Sequence, residues 1–324
     1  MLIDTYGRKI NYLRISVTDR CDLRCTYCIP KGFSEFEKPK HWLSFDEIER
    51  VVRQFAAMGT MHFRLTGGEP LLRKNIVELV HRLKRIDGVN DLSLSTNATQ
   101  LAHYADDLYR AGLDRLNVSL DSLSQKGIQQ ISGYDAKQKI LEGLEAAKEA
   151  GFKNIKINMV LLEGVNEDQI DNMVVFCMKN HFILRLIELM PMGETARKHH
   201  YINLQSVIKN IQYKYNLQPS KKTHGAGPAR YWESLDGTFF LGYITPLSQH
   251  FCQTCNRIRM AVDGTLYMCL GDEHHFALAP ILKSCASDEQ LRQTIREAIN
   301  LKPEQHDFIE KPLKIVRNMA KTGG

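Results

Sequence analysis

Six of the eight cysteines fall into two tight groups, and each group has the chemistry of a metal site. The first group is Cys21, Cys25 and Cys28, spaced C-x-x-x-C-x-x-C. Three thiolates can bind three irons of a [4Fe–4S] cube, which normally takes four cysteines, so one iron would stay open to an outside chelator. Structural zinc is the alternative, but a closed zinc site also takes four ligands, and only His41 stands near in sequence. The spacing favours an iron–sulfur cluster.

The second group is Cys252, Cys255 and Cys269, and it repeats the three-thiol arrangement. The alternative is half of a zinc ribbon, whose fourth ligand would be one of His274, His275 and Cys285. Arg257 and Arg259 follow Cys255 on one face of a β-like run. Because an open iron beside two cations suits an anionic ligand, this context favours a nucleotide-binding cluster. Cys177, in a helical run, is interpreted as a small buried hydrophobe.

Composition and charge exclude several classes of protein. The net charge of +6 is modest and spread along the 324 residues, so a nucleic-acid partner is not predicted. No apolar run approaches the roughly 20 residues that cross a bilayer, and the N-terminus lacks the apolar core of a signal peptide. We therefore expect a cytoplasmic protein with no membrane partner, in which clustered cysteines bind metal rather than form disulfides.

Short β-like runs alternate with amphipathic helices through the first two thirds of the chain. The candidate strands are 12–17, 62–66, 91–96, 115–120, 155–161 and 184–189. Ser44 and Glu47 predict a capping box for a helix that stops at Gly59, and further helices are predicted at 74–86, 101–111 and 137–150. Repeating βα units indicate a parallel sheet. Six units fit an incomplete TIM-like (β/α)6 barrel; an open doubly wound sheet is the alternative.

The pattern changes after residue 193. A β-like run at 238–244 and a hairpin through 262–265 are followed by short helices. We place the domain change in the polar stretch near residue 220. This predicts a partial barrel over 1–220 and a smaller C-terminal α+β region over 221–324 that carries the second cysteine group.

The chemically suggestive segments of the barrel region share one position. They follow candidate strands, at 21–28, 66–70, 95–97, 119–121 and 190–193. In barrel enzymes the reactive groups gather at the C-terminal ends of the strands. We therefore expect these segments to meet around one site.

Four of these segments carry a resemblance to a known superfamily. The cysteine loop with an aromatic residue, Tyr27, before its last cysteine is joined by the glycine-rich turn LTGGEPL at 65–71 and by the strand ends at 96–97 and 118–121. Together and in this order they resemble the radical S-adenosylmethionine superfamily. The resemblance implies that the glycine-rich turn receives the methionine amino group, and that the later strand ends bind ribose and carboxylate.

A narrower resemblance covers nearly the whole chain. It rests on the segments YLRISVTDRC at 12–21, FRLTGGEP at 63–70, IELMPMG at 187–193, FCQTCNRIR at 251–259 and the terminal Gly323-Gly324. These resemble the GTP 3′,8-cyclase family, which performs the first step of molybdenum cofactor biosynthesis. The resemblance implies S-adenosylmethionine and two [4Fe–4S] clusters as cofactors, GTP as substrate, and a tail that reaches toward the active site.

Site residues follow from this resemblance by position. The cluster ligands would be the two cysteine groups. Four residues would contact S-adenosylmethionine: Tyr27, Gly68, Ser119 and Met190. Six would contact GTP: Arg14, Arg64, Ser95, Lys156, Arg257 and Arg259. Lys156, Arg257 and Arg259 would also serve catalysis. Ser95 stands where the family usually has threonine, and the hydroxyl is kept.

The family's chemistry implies a radical cyclisation. One electron cleaves the sulfonium of S-adenosylmethionine, the resulting 5′-deoxyadenosyl radical removes the 3′ hydrogen of GTP, and the ribose radical attacks guanine C8. The product, (8S)-3′,8-cyclo-7,8-dihydroguanosine 5′-triphosphate, would pass to a companion pyranopterin-forming enzyme. An electron donor such as flavodoxin or ferredoxin is expected, and the chain would be a monomer or homodimer.

Two rival functions follow from the same cysteines. A radical S-adenosylmethionine maturase acting on a peptide would share both cysteine groups, but a peptide needs no set of cations such as Lys156, Arg257 and Arg259. A zinc-stabilised binding module would be colourless, whereas iron–sulfur clusters would make the protein brown.

Overall fold

Parallel strands built from near-continuous apolar runs form the centre of the computed structural model, which describes residues 1–323. Among these residues the strands are β1 Tyr12–Ser16, β2 His62–Thr66, β3 Asp91–Thr96, β4 Arg115–Ser119, β5 Ile155–Leu161, β6 Ile183–Glu188, β7 Gln218–Pro219, β8 Arg230–Glu233, β9 Phe240–Ile244, β10 Arg257–Met260, β11 Thr265–Tyr267 and β12 His275–Ala277. The six barrel strands begin and end within one residue of their predicted positions, because a buried parallel strand has a strong apolar signal.

The strands form one sheet in the order β12-β11-β10-β1-β2-β3-β4-β5-β6-β9-β8-β7. Strands β1 to β6 are parallel, as six βα units require. Strand β1 pairs with β10, and β6 pairs with β9, so the two edges of the six-stranded set do not meet. The predicted incomplete barrel is therefore confirmed. The C-terminal region supplies strands to both of its edges, and the domain boundary near residue 220 stays a prediction.

Helices connect the strands and cover the sheet. They are α1 Phe45–Ala57, α2 Ile76–Lys84, α3 Leu101–Arg110, α4 Gln125–Ser132, α5 Lys137–Glu149, α6 Ile170–Asn180, α7 Gly193–Arg197, α8 Leu204–Lys214, α9 Ala279–Leu282, α10 Asp288–Ile299 and α11 Met319–Thr322. The predicted capping box is present at α1: the Ser44 hydroxyl accepts from the Glu47 N–H at 3.2 Å, and the Glu47 carboxylate accepts from the Ser44 N–H at 2.7 Å. Among residues 1–323, no helix combines the length and the apolar character that crossing a membrane requires.

Alternation along the strands separates the apolar core from a polar barrel interior. Leu13 and Ile15 of β1 are fully buried in a core that includes Val51 and Phe55 of α1. Arg14, between them, points to the opposite face of the sheet. The interior of the partial barrel thus contains buried cations, and these need anionic or polar partners.

Candidate active site

The first cysteine loop, residues 17–28, follows β1 and is held against the turn that follows β2. The Gly68 N–H donates to the Thr18 carbonyl at 2.8 Å, and the Glu69 N–H donates to the Arg20 carbonyl at 2.7 Å. A Cβ on Gly68 would lie 2.2 Å from the Arg20 carbonyl oxygen, and one on Gly67 would lie 2.1 Å from that of Thr18. Only glycine permits this backbone approach. The two motifs that resemble the superfamily are therefore one structural unit.

Glu69 joins this unit to the end of β3. It is fully buried, and its carboxylate accepts from the Thr96 hydroxyl at 2.7 Å, the Asn97 N–H at 2.7 Å and the Leu71 N–H at 3.1 Å. Burial raises the pKa of Glu69 to about 7, although these hydrogen bonds favour the charged form. Glu69 is not among the site residues predicted from the sequence. A carboxylate between Gly68 and Pro70 in a buried turn was the available signal.

The first three cysteines are partly buried. Burial raises the pKa of the Cys21 and Cys28 thiols to about 12 and that of Cys25 well above its ordinary value. The thiolate forms therefore need a strong positive charge, which iron supplies when it binds. The Asn97 amide also donates to the Cys21 sulfur at 3.8 Å. This donor set fits a [4Fe–4S] cluster.

Within residues 1–323, no three Cys, His, Asp or Glu side chains are grouped to hold one metal ion. A cubane cluster binds each thiolate through a different iron, so its ligands need no common centre.

A small cavity beside the first cysteines contains two of the residues predicted to bind S-adenosylmethionine, Tyr27 and Ser119, together with Asn97 and Asp121. The Tyr27 hydroxyl donates to Asp121 Oδ2 at 2.7 Å, and the Val160 N–H donates to Asp121 Oδ1 at 2.8 Å. Burial raises the pKa of Asp121 to about 6. Asp121 belongs to the strand-end motif 118–121 but is not among the predicted site residues, and its hydrogen bond orients Tyr27.

The other two residues predicted to bind S-adenosylmethionine lie elsewhere. Gly68 packs against the Arg20 backbone, and Met190 packs near Met192 and Phe308 in the wall of a second cavity. Their contacts with the cofactor stay predictions.

The second cavity, called the arginine cavity below, is lined by Arg14, Arg64, Arg185, Arg257 and Arg259 together with Cys252, Cys255 and Cys269. The register of β1, β2 and β10 places three arginines side by side at the centre of this cavity. Arg14 of β1 lies beside Arg64 of β2 on one side and beside Arg259 of β10 on the other. Three cations from three strands thus form a row on the interior face of the sheet, next to the second cysteine group.

This row of arginines is electrostatically unfavourable without an anion. Burial, followed by repulsion from Arg259 and Arg64, holds the pKa of Arg14 well below its ordinary value. Burial lowers the pKa of Arg64 to about 10, and burial with the neighbouring Arg257 lowers that of Arg259 to about 9. Within residues 1–323, Arg14 Nε is buried without a hydrogen-bond partner. The arrangement suits a multiply charged anion.

Arg185 also lines the arginine cavity, although it is not among the site residues predicted from the sequence. Its guanidinium donates to the side-chain oxygens of Asn158 at 2.8 Å and Asn117 at 2.6 Å, which fix it in the barrel interior. The signal was present: Arg185 interrupts the apolar run of β6, in which Glu188 is the last residue.

Lys156 and Ser95, both predicted to contact GTP, lie outside the lining of the arginine cavity. Lys156 is 1% exposed at the N-terminal end of β5, and its ammonium group donates to the His224 carbonyl. Within residues 1–323, the buried Ser95 hydroxyl has no hydrogen-bond partner. Both residues are therefore available to a ligand only if it extends beyond the arginine row.

The second cysteine group lies in the wall of the arginine cavity, in a more positive environment than the first. Burial raises the pKa of Cys255, but Arg257 and Lys302 outweigh it and bring the value down to about 6. Arg257 also donates to the Cys255 sulfur at 3.9 Å. The first group needs the metal's charge to form thiolates, whereas the protein itself favours a thiolate at Cys255. This donor set also fits a [4Fe–4S] cluster with an open iron.

The C-terminal tail contacts β10 and the end of β2. Arg259 donates to the Gly323 carbonyl at 2.9 Å, and a Cβ on Gly323 would lie 2.2 Å from the Thr66 hydroxyl at the end of β2. The tail thus reaches the site, as predicted, as far as Gly323. Gly324 lies outside the described residues.

Comparison with known proteins agrees with this geometry. The model of the radical SAM superfamily matches residues 15–177, and that of Molybdenum Cofactor Synthesis C matches residues 182–308. A GTP 3′,8-cyclase of Ectopseudomonas mendocina is 40% identical over 100% of this chain and 98% of its own length. One from Thermodesulfovibrio yellowstonii is 39% identical over 99% of each chain.

Solved structures agree on the fold. SuiB of Streptococcus suis, in a crystal structure bound to S-adenosylmethionine, matches 97% of this chain and 77% of its own with a TM-score of 0.64 at 13% identity. The partial barrel has a three-cysteine loop after its first strand, and the radical SAM superfamily model matches this region. These features define a radical S-adenosylmethionine protein. The sequence identity over the full chain shows that it belongs to the GTP 3′,8-cyclase family.

Proposed function

We propose that this chain cyclises GTP to (8S)-3′,8-cyclo-7,8-dihydroguanosine 5′-triphosphate, the first step of molybdenum cofactor biosynthesis. The observation that supports it best is the row Arg259–Arg14–Arg64 beside the second cysteine group. A nucleoside triphosphate carries the multiple charges that such a row needs and a base that can approach an open iron. Family membership supports the same substrate.

The cofactors are two [4Fe–4S] clusters and S-adenosylmethionine. Cys21, Cys25 and Cys28 would hold the first cluster, and Cys252, Cys255 and Cys269 the second. When bound, S-adenosylmethionine and the reduced first cluster supply a carbon-centred radical that can take hydrogen from an unactivated carbon. The chain's own part is to position the substrate and exclude water.

Positioning is assigned to named groups. Arg14, Arg64 and Arg185 would bind the triphosphate, while Arg257 and Arg259 would supply positive charge beside the second cysteine group, where the base would bind. The Gly323 carbonyl on Arg259 orients that guanidinium before substrate arrives. Tyr27, held by Asp121, and Ser119 would face S-adenosylmethionine on the other side.

Several finer expectations stay predictions. They are the companion pyranopterin-forming enzyme, a flavodoxin or ferredoxin as electron donor, a monomeric or homodimeric state, and a cytoplasmic location.

Anaerobic reconstitution tests the proposal directly. The chain should bind about eight irons, as two [4Fe–4S] clusters require. With dithionite and S-adenosylmethionine, we expect 5′-deoxyadenosine and cyclised product with GTP and no cyclised product with ATP. About four irons per folded chain, or equal turnover of GTP and ATP, would refute the assignment.

GTP binding is expected to take up a proton at Lys156. Burial, with Arg185 and Arg115 nearby, lowers the pKa of Lys156 to about 5, so the free protein holds it neutral near pH 7. A triphosphate beside the amine would favour the charged form and raise that pKa. Because the complex then binds more protons than the free protein, affinity should rise as the pH falls toward about 5.

Calorimetry checks this. GTP is titrated at about pH 8, where its phosphates are fully ionised, in two buffers with different ionisation enthalpies. The parent chain should take up as much as one proton per GTP bound, and Lys156→Met should not show this uptake. Equal uptake by both chains would remove Lys156 from the phosphate site.

A further inference from the structure

Three buried cations surround the second cysteine group from outside the arginine cavity. Arg8 belongs to the N-terminal turn, Lys302 follows α10, and Arg317 precedes α11; they are 7%, 2% and 7% exposed. None of them lines the cavity in which we place GTP. The proposed substrate therefore does not explain why they are buried there.

Each of these cations donates hydrogen bonds to the backbone beside the cysteines. Arg8 donates to the Cys252 carbonyl at 3.0 Å, and Arg317 donates to the Cys269 carbonyl at 2.8 Å. Lys302 Nζ donates to the carbonyls of Arg257 at 2.9 Å and Met268 at 2.7 Å, so it bridges the segment after Cys255 and the segment before Cys269. Residues far apart in sequence thus fix both thiol-bearing segments, the one with Cys252 and Cys255 and the one with Cys269.

Lys302 differs from the other two cations in its charge balance. Arg8 pairs with Asp4 at 2.5 Å, and Arg317 pairs with Glu273 at 2.8 Å. Among residues 1–323, Lys302 forms no salt bridge with a carboxylate; its third contact is the Cys255 sulfur, 3.6 Å from Nζ. A buried ammonium is costly without an anion, and the cysteine group is the anion that this one faces.

A protein sets the reduction potential of an iron–sulfur cluster through hydrogen bonds to the cluster sulfurs and through nearby charges. We propose that Lys302 is a positioning residue of the second cluster: its N–H···S contact with Cys255 and its positive charge stabilise the reduced cluster and keep it bound. This inference rests on the proposed function, because it requires a cluster at the second cysteine group.

The test isolates the second cluster in the full-length chain. With Cys21, Cys25 and Cys28 all replaced by serine, the remaining electron paramagnetic resonance signal belongs to the second group alone. In this background Lys302→Met removes the charge and the donor, and Lys302→Arg keeps both. Lys283→Met, at an exposed lysine, is the matched control.

We expect Lys302→Met to lower the equilibrium constant for reduction about tenfold, a midpoint shift of about 59 mV for one electron. Lys302→Arg and Lys283→Met should stay near the parent value. Loss of iron from folded Lys302→Met but not from Lys302→Arg would also support the inference, since the charge would then be what retains the cluster.

Two results would overturn it. The first is a Lys302→Met chain with full iron and an unchanged potential. The second is loss of the cluster from both Lys302 variants, because the shape of the side chain rather than its charge would then be required. A parent chain that binds no second cluster would instead refute the proposed function.

Discussion

Replacing Gly68 by alanine is expected to slow reductive cleavage of S-adenosylmethionine about a hundredfold while the arginine cavity still binds GTP. The new Cβ would lie 2.2 Å from the Arg20 carbonyl oxygen and 2.5 Å from its carbon, so backbone must move against backbone. The cysteine loop and the glycine turn would separate, and with them the predicted contact to the methionine amino group. A displacement of about 1 Å at such a site can cost about a hundredfold in rate.

The measurement is 5′-deoxyadenosine release under anaerobic conditions, beside equilibrium dialysis with GTP. Gly164→Ala is the matched control: Gly164 has a φ of +67° but nothing within 4 Å of the new Cβ. It should cost about 1 kcal/mol of stability and leave the release rate unchanged. Parent-like release by Gly68→Ala would show that the turn does not position the cofactor.

Replacing Cys252 by serine is expected to separate the two halves of the reaction. Cys252 lies in the wall of the arginine cavity, whereas the first cysteine loop follows β1 and rests on the turn after β2. The variant should lose the second cluster and all cyclised product, because GTP loses the open iron that would anchor its base. S-adenosylmethionine should still be cleaved at the first cluster, although no cyclised product is formed.

Iron should fall from about eight to about four per chain in this variant, with 5′-deoxyadenosine released and no cyclised nucleotide formed. Cys285→Ser, at an exposed cysteine, should match the parent in all three measurements. If Cys252→Ser loses both activities while the first cluster is fully occupied, the two cysteine groups do not have separate roles.

Local features of the site could be predicted well. The strand positions, the Ser44 capping box and the spacing of Cys21, Cys25 and Cys28 depend on residues within a few positions of one another, so they are legible in one sequence. The register of distant strands is not legible in this way. Alternation assigned Arg257 and Arg259 to one face but did not say which strand would lie beside them.

The roles of Glu69 and Arg185 were equally hard to predict from the sequence. Each is a charge in an apolar surrounding, and its role depends on partners from other strands: Thr96 for Glu69, Asn117 and Asn158 for Arg185. Lys302 is further removed still, because its carbonyl and sulfur partners belong to segments over 30 positions away. Such contacts form only when the whole sheet is assembled.

The sequence by itself determined the three-thiol chemistry, the βα repeat and the glycine turn that must meet the cysteine loop. Only the tertiary structure decided that β10 pairs with β1, which brings Arg259 beside Arg14 and closes the arginine row. The reason is physical. Periodicity reports which face of a strand is buried, whereas the choice of neighbour and register depends on packing free energy summed over the whole sheet.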